Sequence, residues 1–264
     1  MIGPMIPRGT PRSCRVVAAG CVLAVMLALG AIAGCDGGES STEQLRQEML
    51  DYLAATYGEE FVAGELTMNS YYYGSDILTV SEADDSSVVF NVYRDADNTI
   101  AEGPGGLRDD YPLGKWNAEL TSRMQPVVAE LMGDDTYFGA YIEMAPTDVM
   151  PHMTHLSLDE QLVSGDDMSV LLVLACPGNG DRLSNDPTPF YSVLEELRSL
   201  GPSRYVLSVG FLDDPGAVSS QLVGTRPPDW VNLSVEKNAY FIVDSSDGIT
   251  GAEQLPAELR RSGE

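Results

Sequence analysis

The spacing of apolar positions divides the chain into alternating helical and extended stretches. From Glu43 to Tyr57, the residues Leu45, Met49, Leu50, Leu53 and Tyr57 recur at helical spacing, which gives one apolar face. Ser41 with Gln44 three residues later forms a capping-box pattern, and Gly58 is placed to end the helix. Three strands are predicted next, at Phe61–Met68, Ile77–Ser81 and Val88–Tyr93, separated by turn-forming Gly74-Ser75-Asp76 and an acidic loop at 82–87. A Gly/Pro-rich break at 103–106 closes this unit.

A second helix is predicted from Lys115 to Met132, with Trp116, Leu120, Met124, Val128 and Leu131 inward and a kink at Pro126. A strand at Tyr137–Met144 and a short helix at Leu158–Val163, capped by Ser157 with Glu160, come next. The run Met168–Cys176 is apolar but for Ser169, as a central strand covered on both faces would be. Thr188 and Pro189 open a helix that Gly201 closes, and Arg204–Leu212 is a strand. Trp230–Glu236 and Asn238–Val243 are expected to pair as a hairpin turning near Lys237. Strands that are partly consecutive and partly alternate with helices predict an α+β fold, with antiparallel or mixed sheets and packed helices. The parts are a helix with antiparallel strands over 43–102, an α+β body over 115–244, and a polar tail over 245–264, either loose or forming a last helical turn or two over Glu253–Arg261. One large domain and two small lobes divided near 103–114 both fit this pattern.

The N-terminus has a different pattern. Its only charges are Arg8, Arg12 and Arg15, and an uncharged run follows from Val16 to Ala33. That composition suits a signal peptide over residues 1–34, whose cations stay in the cytoplasm while the rest emerges outside. Ile32-Ala33-Gly34-Cys35, followed by Asp36, resembles the lipobox of bacterial lipoproteins. The resemblance implies cleavage before Cys35, a diacylglyceryl thioether on its sulfur, and retention in the inner membrane where a host has two. The competing reading is an uncleaved anchor, since the run approaches the roughly 17–25 residues that span a bilayer. Residues 35–42 then form a tether with a reach on the order of 20 Å at full extension.

The chain carries 15 basic and 40 acidic residues. Loss of the three signal-peptide arginines leaves 12 basic residues and a formal charge of −28. Such a body has no means of binding nucleic acid by counterion release, and anionic head groups repel it. Cys14 and Cys21 leave with the signal peptide and Cys35 carries lipid, so Cys176 has no partner for an internal disulfide. It ends an apolar strand, which suits a small buried group better than a nucleophile.

Asp51-Tyr52-Leu53, Tyr57-Gly58-Glu59-Glu60-Phe61, Asp110-Tyr111 and Trp116 together resemble the first half of uncharacterised lipoproteins from Gram-positive bacteria. The resemblance implies a helix turning at a glycine into a strand, and no activity.

Gly-x-Ser-x-Gly, Gly-x-x-x-x-Gly-Lys, Gly-x-Gly-x-x-Gly and His-Glu-x-x-His are absent from the sequence. The chain's two histidines, His152 and His155, fall beside Met150 and Met153, so imidazole and thioether could hold copper or zinc. The competing reading is a loop whose methionines pack on the core. In the turns Arg94–Thr99 and Asp244–Gly248 the glycine and distal glutamate of a calcium loop do not fall at the required positions. In a strand Tyr72 points opposite to Tyr71 and Tyr73, so the three form no single sugar-stacking surface. No cofactor is expected. The expectation is a non-enzymatic, membrane-tethered lipoprotein that binds an envelope partner, with a solute-binding lipoprotein or a copper/zinc protein as alternatives.

Overall fold

The computed structural model describes residues 39–68, 74–95, 106–144, 153, 155–164, 168–222 and 238–261. The chain divides into two compact units, Met1–Glu43 and Gln44–Glu264, and the second holds both sheets.

Helix α1 spans Glu39–Tyr57. It begins four residues before the predicted start, so Ser41 lies inside it and is not its cap. The helix breakers upstream are Gly37 and Gly38, and a glutamate at the first position suits the positive end of a helix dipole. Gly58 ends the helix as expected, with φ +72° and its amide donating to Ala54 O at 2.9 Å.

Strands β1 (Phe61–Thr67), β2 (Ser75–Glu82), β3 (Val89–Asp95) and β4 (Leu107–Asp109) follow one another as an antiparallel meander. Leu45, Met49 and Leu53 of α1 bury against Leu78, Phe90 and Val92 of this sheet.

Helix α2 spans Tyr111–Met132 and also starts four residues earlier than predicted. Pro112 sits in its first turn, where a missing amide costs nothing. Gly114 is used for close approach: a Cβ there would lie 3.0 Å from both Phe90 Cβ and Val89 O. The helix continues through Pro126, which is exposed.

The second sheet has the order β5-β6-β7-β8-β9: β5 (Tyr137–Glu143), β6 (Ser169–Pro177), β7 (Arg204–Leu212), β8 (Ala239–Asp244) and β9 (Arg260–Arg261). Only β6 and β7 run parallel. Between β5 and β6 lies α3 (Leu158–Ser164), where Glu160 accepts from the Ser157 amide at 2.8 Å as the capping pattern requires. Between β6 and β7 lie α4 (Asp181–Asn185) and α5 (Thr188–Ser199). The prediction of a doubly covered β6 holds. Val170, Leu172, Leu174 and Cys176 pack against α2 and α5, while Leu171, Val173 and Ala175 pack beneath a 3-10 segment, Pro215–Leu222.

The α+β expectation stands, with a four-stranded antiparallel sheet and a five-stranded mixed one. Each sheet has its own apolar cluster, yet α2 serves both: Tyr111 belongs to the first, and Trp116, Leu120 and Met124 to the second.

The strand expected at Asn238–Val243 is β8, which pairs with β7 and, at Ala239 and Tyr240, also with β9. Residues 230–236 themselves lie outside the described residues. The tail after Ser245 is docked: Leu255, in the 3-10 segment Ala252–Glu258, is fully buried, and Arg198 donates to Ile249 O at 2.6 Å. A few apolar residues in a polar tail suffice when each finds the core.

Candidate functional site

Three features gather polar chemistry around α2. The first is the junction where β4 hands over to that helix. Asp109 accepts from the Tyr52 hydroxyl at 2.8 Å, the Tyr57 hydroxyl at 2.7 Å and the Tyr111 amide at 3.0 Å. Asp110 accepts from the Tyr93 hydroxyl at 2.8 Å and the Asn91 amide at 2.5 Å. Burial pushes the Asp109 carboxyl up, and the donors from Tyr57, Tyr111 and Tyr52 only partly reverse this. Burial and the neighbouring carboxylates raise the phenols of Tyr52, Tyr57 and Tyr93 as well, so all three stay protonated as donors.

Tyr52, Tyr57, Glu59, Asp110 and Tyr111 therefore converge on one junction. Trp116 stands apart, its indole donating to Leu156 O at 3.0 Å. The junction's hydroxyls are committed to carboxylates, which makes it a brace between α1, the first sheet and α2.

Second is an acidic depression beside it, lined by Gly58, Glu59, Glu60, Glu82, Asp84 and Lys115. The Tyr111 hydroxyl bonds both Glu59 and Glu82, and the Lys115 ammonium lies 3.7 Å from Glu82. These contacts are internal and partly neutralising.

Third is a pocket of about 270 Å³ between α2 and the outer side of β5, the edge strand of its sheet among the described residues. Asn117, Ala118 and Thr121 form the helix side, and Phe138, Ala140 and Tyr141 the strand side. Asn117 caps that edge, its side-chain oxygen accepting from the Ile142 amide at 2.7 Å. Ile142 therefore points its amide away from β6, and alternation sends the backbone groups of Ala140 and Phe138 the same way. Tyr141 is 1 % exposed, and among the described residues its hydroxyl is the one buried side-chain polar atom with no hydrogen-bond partner. Burial raises this phenol too, so it keeps its proton.

The residues singled out from sequence fare differently. Cys35, Met150 and His152 lie outside the described residues. Met153 packs against the large core and His155 is exposed. Among the described residues no group of three His, Cys, Asp or Glu is placed to hold a metal. Asp95 is buried and accepts from Ser75 at 2.5 Å and Arg108 at 3.3 Å, while 96–99 lie outside the described residues. Asp244 forms an ordinary turn, accepting from the Ser246 amide at 2.6 Å. Tyr71, Tyr72 and Tyr73 lie outside the described residues. Burial pushes the Cys176 thiol up to about 12, which leaves it un-ionised and inert as a nucleophile.

Sequence reasoning missed Asn117 and Tyr141. An Asn within an amphipathic helix and a Tyr within a strand carry no local signal. Their meaning depends on which sheet edge the helix crosses.

No family model matches the chain, and no curated protein matches it. Among solved structures it is similar to a DUF5037 family protein from Ruminococcus gnavus ATCC 29149, at 15% sequence identity and a TM-score of 0.49. The alignment covers 81% of this chain and 98% of that one.

Proposed function

We propose that the protein is a membrane-tethered extracytoplasmic lipoprotein whose folded body binds a partner or contributes to the envelope without catalysing a reaction. The observation that carries this reading is Ile32-Ala33-Gly34-Cys35 at the end of an uncharged run preceded only by arginines. A diacylated cysteine supplies the two chains that stable anchoring needs. Helix α1 starts at Glu39, so only Cys35–Gly38 would separate the lipid from the first helical turn, a reach of roughly 14 Å. Among the described residues no helix is long and apolar enough to cross a membrane. The solute-binding alternative is favoured by one observation, the pocket beside Tyr141, whose described lining residues carry no charge.

The test is the intact mass of membrane-extracted protein, with a Cys35→Ala variant alongside. The expected mass lacks residues 1–34 and carries acyl chains, and both features disappear in the variant. An unprocessed mass insensitive to Cys35 would mean an uncleaved anchor and would overturn the lipoprotein reading.

A further inference from the structure

We infer that the folded body meets the lipid head groups with the end of the first sheet marked by Thr67 and Met68, and turns the acidic depression around Glu59, Glu60 and Lys115 away from the membrane. The inference rests on the lipid tether proposed above.

Helix α1 and the strands give the first sheet two distinct ends. The Tyr57 ring lies edge-on to Phe61, while further back along α1 the Arg46 guanidinium donates to Gly64 O at 2.5 Å. The helix therefore runs antiparallel to β1, with Gln44 toward Thr67 and Tyr57 toward Phe61. Register carries this across the sheet: Thr67 pairs with Ile77, Ser75 with Asp95, and Arg94 with Leu107. At the opposite end Phe61 pairs with Glu82, and there the acidic depression opens beside Gly58.

The length of the tether selects one of these ends. Residues 39–43 belong to α1 and add about 7 Å of rise beyond Gln44, and Cys35–Gly38 span at most roughly 14 Å. The lipid is thus attached within about 21 Å of Gln44, at the Thr67 end. The depression begins at Gly58, roughly 20 Å further along the helix. Charge acts in the same direction. Its described lining includes four carboxylates, Glu59, Glu60, Glu82 and Asp84, against the single ammonium of Lys115, so anionic head groups repel it. At the tethered end Arg94 pairs with Asp76 at 2.5 Å and Arg108 with Asp95 at 3.3 Å, which offsets those charges. Met68, 44 % exposed, offers the lipid an apolar side chain there.

The experiment uses the mature lipidated protein, extracted from membranes and reconstituted into phosphatidylcholine vesicles that contain a nitroxide head-group lipid. Cys35 is blocked by its lipid and Cys176 is fully buried, so Thr67→Cys and Glu60→Cys, both at exposed positions, each offer one reactive thiol for a fluorophore. Quenching is expected to be at least about threefold stronger at position 67 than at 60, because roughly 20 Å of helix separates the two ends. Inserting about twenty Gly/Ser residues after Gly38 adds a reach of roughly 25 Å and should bring the two signals together. Equal quenching with the native tether, stronger quenching at 60, or a difference that survives the insertion unchanged overturns the inference. Protein that fails to float with the vesicles overturns the lipid tether itself, so the two failures are told apart.

Discussion

The Tyr57 hydroxyl donates to Asp109 Oδ1 at 2.7 Å across 52 residues of sequence. It ties the last turn of α1 to the residue where β4 ends and α2 is about to begin. The same oxygen accepts from the Tyr111 amide, and the second oxygen accepts from Tyr52. One carboxylate thus sets the start of α2, the helix shared by both sheets. The Tyr57 ring also packs edge-on against Tyr111, at 4.5 Å between centroids.

Tyr57→Phe keeps that ring contact and removes one donor from a buried carboxylate. Hydrogen bonds to charged groups contribute about 1.5–3 kcal/mol, so urea unfolding should show a loss in that range. Tyr191→Phe is the control. It removes a neutral bond to Thr250 O on an exposed side chain and should cost about 0.5–1.5 kcal/mol. If the two variants unfold alike, the junction has no special role.

Gly114→Ala sets two effects against each other. Alanine in a helix gains about 1 kcal/mol over glycine. The new Cβ, however, meets Phe90 Cβ and Val89 O at 3.0 Å, and the latter is strand backbone that does not yield easily. Overpacking costs about 1–3 kcal/mol, so a net loss is expected, with α2 displaced from β3. A more stable Gly114→Ala protein would show that α2 has room to move away.

These two sites mark what the sequence makes legible. Helical and alternating spacings located α1, β6, α5 and β7, because each buries a continuous face whose period survives in any context. The start of α2 was hidden because Pro112 and Gly114 look like a break. Proline is tolerated in a first turn, and Gly114 is there for a neighbour, β3, that no local pattern reveals. The docked tail was hidden for a similar reason, since Ile249 and Leu255 are isolated apolar residues among polar ones. At the Tyr141 pocket nothing local was legible, because both sides come from elements that meet only after folding.

Cys176 is fully buried, and burial holds its thiol at about 12. In native protein at about pH 8 it should resist iodoacetamide for on the order of hours, and it should react within roughly minutes in about 8 M urea, where an exposed thiol titrates at about 8.5. Mass spectrometry of the 176-containing peptide reads both states. Rapid native alkylation would mean that the face of β6 packed on α2 and α5 opens readily.

Asp109 gives the pH dependence a definite sign. Burial raises its carboxyl above the ordinary 3.8, so the folded state holds the proton more tightly than the unfolded state does. Its contribution to stability is therefore fully present below the unfolded value and is lost as pH rises through the raised folded value. Asp109→Asn keeps an acceptor for the phenols but cannot ionise. Wild-type stability minus that of the variant should thus decline from pH 4 toward neutrality and then level off. Urea unfolding at each pH measures it, with Glu143, whose carboxyl burial also raises, unchanged in both proteins and so cancelling in the difference. A difference that grows with pH would mean that the three donors outweigh burial and that the carboxylate itself stabilises the junction.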